Sequence, residues 1–268
     1  MKVRAKETKR PLRMIVANWK MHPDSVSEAK ALFLASKKEA MRRKNVQTII
    51  AAPFVYLAEL HTRAVGARVS PIMLGAQDVS GEKGGTHTGE ISAEMLAGVG
   101  VSHVIVGHSE RRARGENDDI VAQKVSAALK KGLVVILCIG ETARDTSGNY
   151  LSIIETQLRI AFATVPKAIL KSVIIAYEPV WAISGGDGRG QTATSDDVHE
   201  MVIFIRKILT SMYTRPSAER VPILYGGSVG GENALVLMQQ GMIDGFLVGG
   251  ASLKPHLFGA ILTATNEK

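Results

Sequence analysis

Eight short runs of apolar, mostly β-branched residues recur along the 268-residue chain, and each is followed by a longer stretch with helical periodicity. The runs are apolar at successive rather than alternate positions, which is typical of strands that are covered on both faces. Such alternation predicts parallel strands joined by crossover helices. The predicted strands are Met14–Ala17, Thr48–Ala51, Ile72–Gly75, His103–Val106, Val134–Ile139, Val173–Tyr177, Pro222–Tyr225 and Gly245–Val248.

Two helix starts can be read from capping patterns. Ser25 and Glu28 have the spacing of a capping box, and the segment that continues from Glu28 is amphipathic. Thr194 precedes a second helix, whose acidic first turn suits the helix dipole. The predicted apolar face of this second helix consists of Val198, Met201, Val202, Ile205 and Leu209.

Eight strand–helix units fit a single α/β domain folded as a closed (β/α)8 barrel, an architecture that typically needs about 250 residues. An open doubly wound sheet is the alternative that the alternation leaves open. No Pro- or Ser-rich linker divides the chain. We expect residues 1–11 to be a basic N-terminal extension and residues 12–268 to form the barrel.

Composition narrows the classes of function. With 46% hydrophobic and 22% charged residues, the chain can bury a large core and is not a disordered protein. A single Cys excludes an internal disulfide framework and favours a reducing compartment, so we expect a cytoplasmic protein. No apolar run approaches the roughly 18–20 residues that span a bilayer, so we expect no membrane partner. The net charge of +8 comes without interleaved aromatic residues, so we expect no nucleic-acid partner.

Polar and glycine residues follow seven of the eight predicted strands. These are the ends at which parallel-strand enzymes carry out their chemistry, and closure of a barrel would bring them into one ring. We therefore expect one pocket that contains Lys, His and Glu but has no metal, because no set of residues has metal-ligand spacing. The residues at these ends are Asn18, Trp19, Lys20, Gln77, Asp78, His108, Ser109, Glu110, Gly140, Glu141, Glu178, Gly226, Gly227, Ser228, Gly249 and Gly250.

Two glycine pairs follow the last two predicted strands, at 226–227 and 249–250. Barrels often bind phosphate at this place through backbone N–H groups and the start of a short helix. Together with a nearby Lys, the pairs predict a phosphorylated small molecule as ligand. The alternative is that these glycines only make tight turns.

Eight segments resemble the triosephosphate isomerase family, in order and across nearly the whole chain. The most specific are VGHSERR at 106–112 and AYEPVWAI at 176–183; the others are ANWKM, GAQDV, TGEIS, CIGET, YGGSV and DGFLVGGASL. The resemblance implies a TIM barrel that interconverts dihydroxyacetone phosphate and D-glyceraldehyde 3-phosphate through an enediolate. It further implies a place in glycolysis and gluconeogenesis and no cofactor.

The resemblance also implies roles for individual residues. Glu178 matches the family's catalytic base, and His108 matches the neutral imidazole that polarises the carbonyl. Lys20 matches the cation that supports the dianionic substrate, with Asn18 beside it, and Glu110 matches a carboxylate that places Lys20. The phosphate contacts implied by the resemblance are Asn18, Lys20 and the backbone near Ser184, Ser228, Gly249 and Gly250.

The resemblance implies a homodimer in which Thr88, on the loop 80–90, reaches the partner's active site. Two departures from the family pattern stand out. The segment SGGDGRGQ at 184–191 is longer than is usual, with Ser184 where the family usually has a phosphate-binding glycine, and Asp78 replaces a more usual Asn. Two other functions remain open: isomerisation of a longer, four-carbon sugar phosphate, and non-catalytic binding of a sugar phosphate.

Overall fold

Eight parallel strands close into a barrel in the order β1 to β8 in the computed structural model, which describes residues 13–43, 45–64, 72–183 and 192–266. Strand β1 also pairs with β8, in a register that places Ile15 beside Phe246. Closure confirms the predicted (β/α)8 barrel and excludes the open sheet. The strands are β1 (Arg13–Asn18), β2 (Val46–Ala52), β3 (Ile72–Ala76), β4 (His103–Val106), β5 (Val134–Ile139), β6 (Val173–Tyr177), β7 (Ile223–Tyr225) and β8 (Gly245–Val248).

Helices connect successive strands, as the alternation predicts. The described residues form α1 (Val26–Met41), α2 (Phe54–Ala64), α3 (Ala93–Gly98), α4 (Ser109–Arg112), α5 (Asp118–Lys130), α6 (Asn149–Phe162), α7 (Ser195–Met212), α8 (Arg215–Ala218), α9 (Gly231–Gln240) and α10 (Pro255–Asn266). Three 3-10 turns lie at Lys167–Ser172, Val180–Ala182 and Gly250–Leu253. None of the helices that the structure describes could cross a membrane, given their length and polarity. The predicted extension at residues 1–11 lies outside the described residues, so this domain boundary stays a prediction.

Both predicted helix starts are confirmed, one of them only in part. The Thr194 hydroxyl accepts from the Asp197 N–H, and the Asp197 carboxylate accepts from the Thr194 N–H, which completes a capping box. The Ser25 hydroxyl accepts from the Glu28 N–H at 3.2 Å, and this single bond caps α1. The predicted apolar face of α7 is buried at all five positions.

Two layers of core explain why the strands are apolar at successive positions. Met14 and Val16 of β1 point into the barrel, whereas Ile15 and Ala17 point outward into the layer beneath the helices. Because both faces of each strand are covered, neither face can be polar without losing hydrogen bonds to water. The inward side chains are Met14, Val16, Ile49, Ala51, Ile105, Ile136, Cys138, Ile174, Ala176, Leu224 and Leu247.

His103 is a buried polar residue at the start of β4. It lies two residues before the inward-pointing Ile105, so its side chain faces the same interior. Its ring Nδ1 lies 2.8 Å from the hydroxyl of Ser102. Burial lowers the pKa of His103 from 6.5 to about 4, because the charged ring would lose its hydration.

We expect His103 to make folding sensitive to mild acid. Below pH 6.5 the unfolded chain binds a proton at this residue and the folded chain does not, so the free energy of unfolding falls as the pH falls towards 4. This contribution amounts to about 1.4 kcal/mol per pH unit and is fully retained above pH 6.5. Urea unfolding at fixed protein concentration should show a shallower pH slope for His103→Phe, whereas substitution of the exposed His256 should leave the slope unchanged. If the free energy of unfolding of the parent and of His103→Phe changed equally with pH, His103 would not be the source of the acid sensitivity.

Candidate active site

A cavity of about 310 Å³ opens at the C-terminal ends of the strands. The predicted site residues that line it are Asn18, Lys20, His108, Glu178, Gly226, Gly227, Ser228, Gly249 and Gly250. The structure therefore brings residues from β1, β4, β6, β7 and β8 into one pocket, as barrel closure predicts. Lining residues that the sequence pattern did not single out are Ile183, Val229, Leu247, Val248, Ala251, Lys254 and Leu257.

Lys20 has a left-handed backbone, with φ of 53°. This conformation costs a non-glycine residue roughly 1–2 kcal/mol, so its neighbours must hold it. The Asn18 side chain accepts from the Lys20 N–H at 3.0 Å, and the Gln77 side chain donates to the Lys20 carbonyl at 2.8 Å. Two polar side chains at the ends of β1 and β3 thus direct the Lys20 side chain into the pocket.

Glu110 holds the far end of the Lys20 side chain. Its carboxylate lies 2.5 Å from the Lys20 Nζ. Partial burial raises the pKa of Glu110, but the Lys20 ammonium group outweighs burial, so this pKa lies below the ordinary value for a glutamate. Glu110 contacts Lys20 as the family resemblance implies, and it does not itself line the cavity.

The tautomer of His108 follows from its position at the start of α4. His108 caps this short helix, and its Nδ1 accepts from the Glu110 N–H at 3.2 Å. A ring nitrogen that accepts a hydrogen bond carries no proton, so the ring is neutral and its proton is on Nε2. This Nε2–H faces the cavity, where it can donate to a substrate oxygen.

Glu178 follows β6 and is almost completely buried, with 2% of its surface exposed. Its Oε2 accepts from the Ser109 N–H at 3.0 Å, and its Oε1 lies 3.2 Å from the His108 Nε2. The predicted base and the predicted electrophile are therefore in direct contact across the pocket.

Two glycines make room for Glu178. A Cβ atom at Gly226 would lie 2.8 Å from the Glu178 Cγ, and a Cβ at Gly140 would overlap the Glu178 carbonyl oxygen. Any larger residue at either position would displace the base. The glycine pair at 226–227 therefore has a packing role beside Glu178 in addition to its predicted place at the phosphate site.

The chain around Glu178 is anchored by a second buried carboxylate. The Glu141 Oε1 accepts from the Tyr177 hydroxyl at 2.8 Å and from the Trp181 indole N–H at 2.8 Å. The Arg144 guanidinium also donates to Glu141, at 3.2 Å, and lies 5.5 Å from the centre of the Trp181 ring. These contacts hold the residues on both sides of Glu178.

The phosphate end of the cavity consists mainly of backbone. Gly249 follows β8, and Gly250 begins the 3-10 turn Gly250–Leu253, so successive N–H groups lie beside the pocket. The Ser228 N–H lies 3.4 Å from the Ala182 carbonyl, a long and weak hydrogen bond that an anion can replace. These groups suit an oxyanion, as the two glycine pairs predict.

The remaining site predictions are not placed in the cavity, either because the residue lies elsewhere or because it is outside the described residues. Thr88 is exposed on its loop and does not line the pocket of its own chain. Ser184 and the unusual segment 184–191 lie outside the described residues. Within the part of the chain that the structure describes, no three His, Cys, Asp or Glu side chains converge as metal ligands would. Cys138 lies in the barrel interior, and burial raises the pKa of its thiol.

Asp78, which follows β3, belongs to a network of ions that does not line the cavity. Its carboxylate contacts Lys124 at 2.8 Å and Arg111 at 2.9 Å, and both cations also contact Glu116. Burial raises the pKa of Asp78, although the hydrogen bond from Lys124 opposes this shift. Having Asp rather than the family's more usual Asn at position 78 therefore adds a second carboxylate, beside Glu116, to the cations Arg111 and Lys124.

A buried carboxylate base, a neutral imidazole donor and a lysine meet at the C-terminal end of a closed parallel barrel. Proton transfer between neighbouring carbons needs such a base and such a donor, so fold and site define a (β/α)8-barrel isomerase. The sequence model of the triosephosphate isomerase family matches residues 13–265. The chain belongs to the triosephosphate isomerase family.

Bacterial relatives agree with this assignment. The chain is 42% identical over 254 residues to the triosephosphate isomerase of Flavobacterium johnsoniae, an alignment that covers 94% of this chain and 98% of the relative. It is 44% identical over 247 residues to that of Endomicrobium trichonymphae, with 91% and 95% covered. It is 43% identical over 251 residues to that of Geobacter metallireducens, with 93% and 97% covered.

Proposed function

We propose that the protein interconverts dihydroxyacetone phosphate and D-glyceraldehyde 3-phosphate in glycolysis and gluconeogenesis. The observation that carries this proposal is the contact between the Glu178 carboxylate and the His108 Nε2, 3.2 Å apart in the cavity that also holds Lys20. A single cysteine, which is buried, supports a cytoplasmic location.

Glu178 acts as the base. It removes a proton from the carbon next to the substrate carbonyl, and the electron pair of the broken C–H bond forms the carbon–carbon double bond of an enediolate. The same carboxyl group then returns the proton to the neighbouring carbon, while the hydroxyl proton on the first oxygen passes through the His108 Nε2 to the former carbonyl oxygen. Because Glu178 is buried, its proton is shielded from exchange with bulk water during the step.

His108 and Lys20 stabilise the charge that develops on the substrate oxygen. When substrate binds, its carbonyl oxygen takes the place of the Glu178 carboxylate as acceptor of the His108 Nε2–H. A neutral imidazole is suited to this task, since the donor and the enediol have comparable affinities for a proton. The Lys20 ammonium supplies a full positive charge on the same side of the pocket, and Asn18 and Glu110 fix its direction.

A small phosphorylated sugar fits the shape of the site. A volume of about 310 Å³ lies at the lower end of the range for ligand pockets, about 300–1,000 Å³. Backbone N–H groups near Ser228, Gly249 and Gly250 suit a phosphate group at one end, while Glu178 and His108 lie at the other. A triose phosphate can therefore present its carbonyl to the two catalytic side chains.

An assay with matched substrates tests the proposal. Purified protein should isomerise the three-carbon phosphate, followed by coupled oxidation or reduction of the product, and should act far more slowly on a four-carbon ketose phosphate. Faster turnover of the four-carbon substrate would establish the alternative isomerase. Binding of both phosphates without turnover would identify a non-catalytic binding protein.

We also propose that the protein is a homodimer, paired through the loops that follow β1 to β3. Large apolar side chains are exposed in this region: Met21 is 88% exposed and Val55 78%, and Phe54 and Met95 are also accessible. The loop 80–90, which carries Thr88, lies almost entirely in solvent in the single chain. Exposed apolar side chains around a protruding loop are typical of a subunit interface.

Val55→Asp is expected to weaken the dimer and reduce activity with it. A charge at the centre of an apolar interface loses its hydration on association, so the dissociation constant should rise at least about 100-fold. Sedimentation velocity and activity, measured over the same range of concentrations, check this. Ile203→Asp, at an exposed apolar residue on α7, should leave both properties unchanged. Full activity of a Val55→Asp monomer would refute the proposed interface.

A further inference from the structure

We propose that a groove at the N-terminal end of the barrel binds an acidic, amphipathic helix of a partner protein. The groove has a volume of about 1070 Å³ and is lined by residues of α7, α8 and α9 and of the turn that leads into β8. Arg13, the first residue of β1, and Asp244, directly before β8, also line it. The groove therefore lies at the opposite end of the strands from the candidate active site, and its proposed role goes beyond isomerase activity.

Two large apolar side chains are exposed in this groove. Ile203 of α7 is 56% exposed and Met242 is 60% exposed. The lining also contains the buried apolar residues Val202, Met238 and Ile243. Apolar side chains that are gathered in one groove and left in solvent are typical of a surface that a partner covers.

The backbone of Met242 is left-handed, with φ of 54°. Gly and Asn adopt this conformation more readily than Met does. An exposed Met at this position therefore stabilises neither the turn nor the core of the protein. Its side chain instead provides an apolar anchor for the partner.

The residues that line the groove carry more positive than negative charge. The cations are Arg13, Arg206, Lys207 and Arg215, and the carboxylates are Glu219 and Asp244. Glu219 is paired with Arg215 at 2.7 Å, and Asp244 with Arg206 at 3.3 Å. Among the described residues, no carboxylate lies within ion-pair distance of Lys207. A partner with carboxylates beside its apolar side chains complements this groove.

The N-terminal segment of the chain itself does not complement the groove. Residues 1–12, which precede Arg13, contain five Lys or Arg and one Glu. Repulsion between like charges opposes binding of this segment beside Arg206 and Lys207. Because the segment is joined to Arg13, its positive charge adds to the preference of the groove for an acidic partner.

The form of the groove favours a helix as the occupant. Its volume exceeds the range for small-molecule pockets, about 300–1,000 Å³. An extended peptide would need an open sheet edge, but the barrel is closed. A proline-rich segment would need an aromatic surface, and none of the described residues that line the groove is aromatic. The remaining common mode is an amphipathic helix that places its apolar face in the groove.

Binding of designed peptides to the full chain tests the inference. The probe is a fluorescent helical peptide of about 18 residues with Leu along one face and Glu on both sides of that face, and its matched control has Lys in place of every Glu. At about 50 mM salt we expect saturable binding of the acidic peptide, with a Kd of about 10–100 μM, and at least about 10-fold weaker binding of the basic peptide. At about 500 mM salt the affinity for the acidic peptide should fall, because mobile ions screen the charges.

Variants of the groove separate the apolar from the electrostatic contribution. Ile203→Asp and Met242→Asn should each weaken binding of the acidic peptide at least about 10-fold, and Lys207→Met about 3-fold. Leu34→Asp, at an exposed apolar residue of α1, should leave the affinity unchanged. The thermal midpoint of Met242→Asn should equal or exceed that of the parent, because Asn tolerates the left-handed backbone. A loss of binding in this variant is then not a loss of folding.

Absence of saturable binding of the acidic peptide up to about 1 mM would overturn the inference, as would equal affinities for the acidic and basic peptides. Parent-like affinity in both Ile203→Asp and Met242→Asn would also overturn it. Tighter peptide binding after deletion of residues 1–11 would identify the chain's own segment as the occupant, and association beyond a dimer that Ile203→Asp abolishes would identify a second copy. Binding is measured without turnover, so these results do not depend on the substrate of the active site.

Discussion

Replacing Glu178 with glutamine is expected to lower kcat for the triose phosphate by about three orders of magnitude. The amide has nearly the same size and can still contact the Ser109 N–H, but it cannot take a proton from carbon. KM should change little, because the backbone groups near Ser228 and Gly249, which we propose bind the phosphate, stay in place. Steady-state kinetics of Glu178→Gln, with phosphate binding measured in parallel, check the expectation.

A shorter carboxylate serves as the matched control for Glu178. Glu178→Asp keeps the base but withdraws it by one methylene group from the position 3.2 Å from the His108 Nε2. Its kcat should lie between those of the parent and Glu178→Gln, again with a modest change in KM. A parent-like kcat for Glu178→Gln would show that another group removes the proton.

Replacing His108 with glutamine should lower kcat by about 100- to 1,000-fold. Glutamine retains an N–H donor, but the flexible side chain does not hold it where the His108 Nε2–H is held by the contact of Nδ1 with the Glu110 N–H. The loss should therefore arise mainly in the transition state, where charge on the substrate oxygen is greatest. An unaltered kcat for His108→Gln would exclude His108 as the main electrophile.

The protonation of His108 can be measured separately from its contribution to rate. Nitrogen chemical shifts of the ring should identify a neutral imidazole with its proton on Nε2 near neutral pH. A proton on Nδ1 would contradict the bond that this atom accepts from the Glu110 N–H. A variant at the exposed His256 should leave the signals of His108 in place, which makes the assignment secure.

The strand bounds show how much of the fold can be predicted from local sequence pattern. Four predicted strands, at 103–106, 134–139, 173–177 and 245–248, have the same bounds in the structure, and the other four differ by one or two residues at their ends. These bounds are predictable because an apolar run that is covered on both faces must stop where the chain reaches solvent. Convergence of the site also follows from topology, since parallel strands in a barrel carry their C-terminal ends to one rim.

Other features of the site cannot be predicted from the residues next to them in the sequence. The left-handed backbone of Lys20 depends on bonds from Asn18 and Gln77, and Gln77 lies 57 positions away along the chain.

The sequence by itself determined the class of fold, the end of the barrel that carries chemistry and the residue types of the site, because periodicity and strand-end composition are local properties. Only the tertiary structure decided the tautomer of His108 and the buried state of His103. Protonation and electrostatic potential depend on distances between groups that are far apart in the chain, and folding sets those distances.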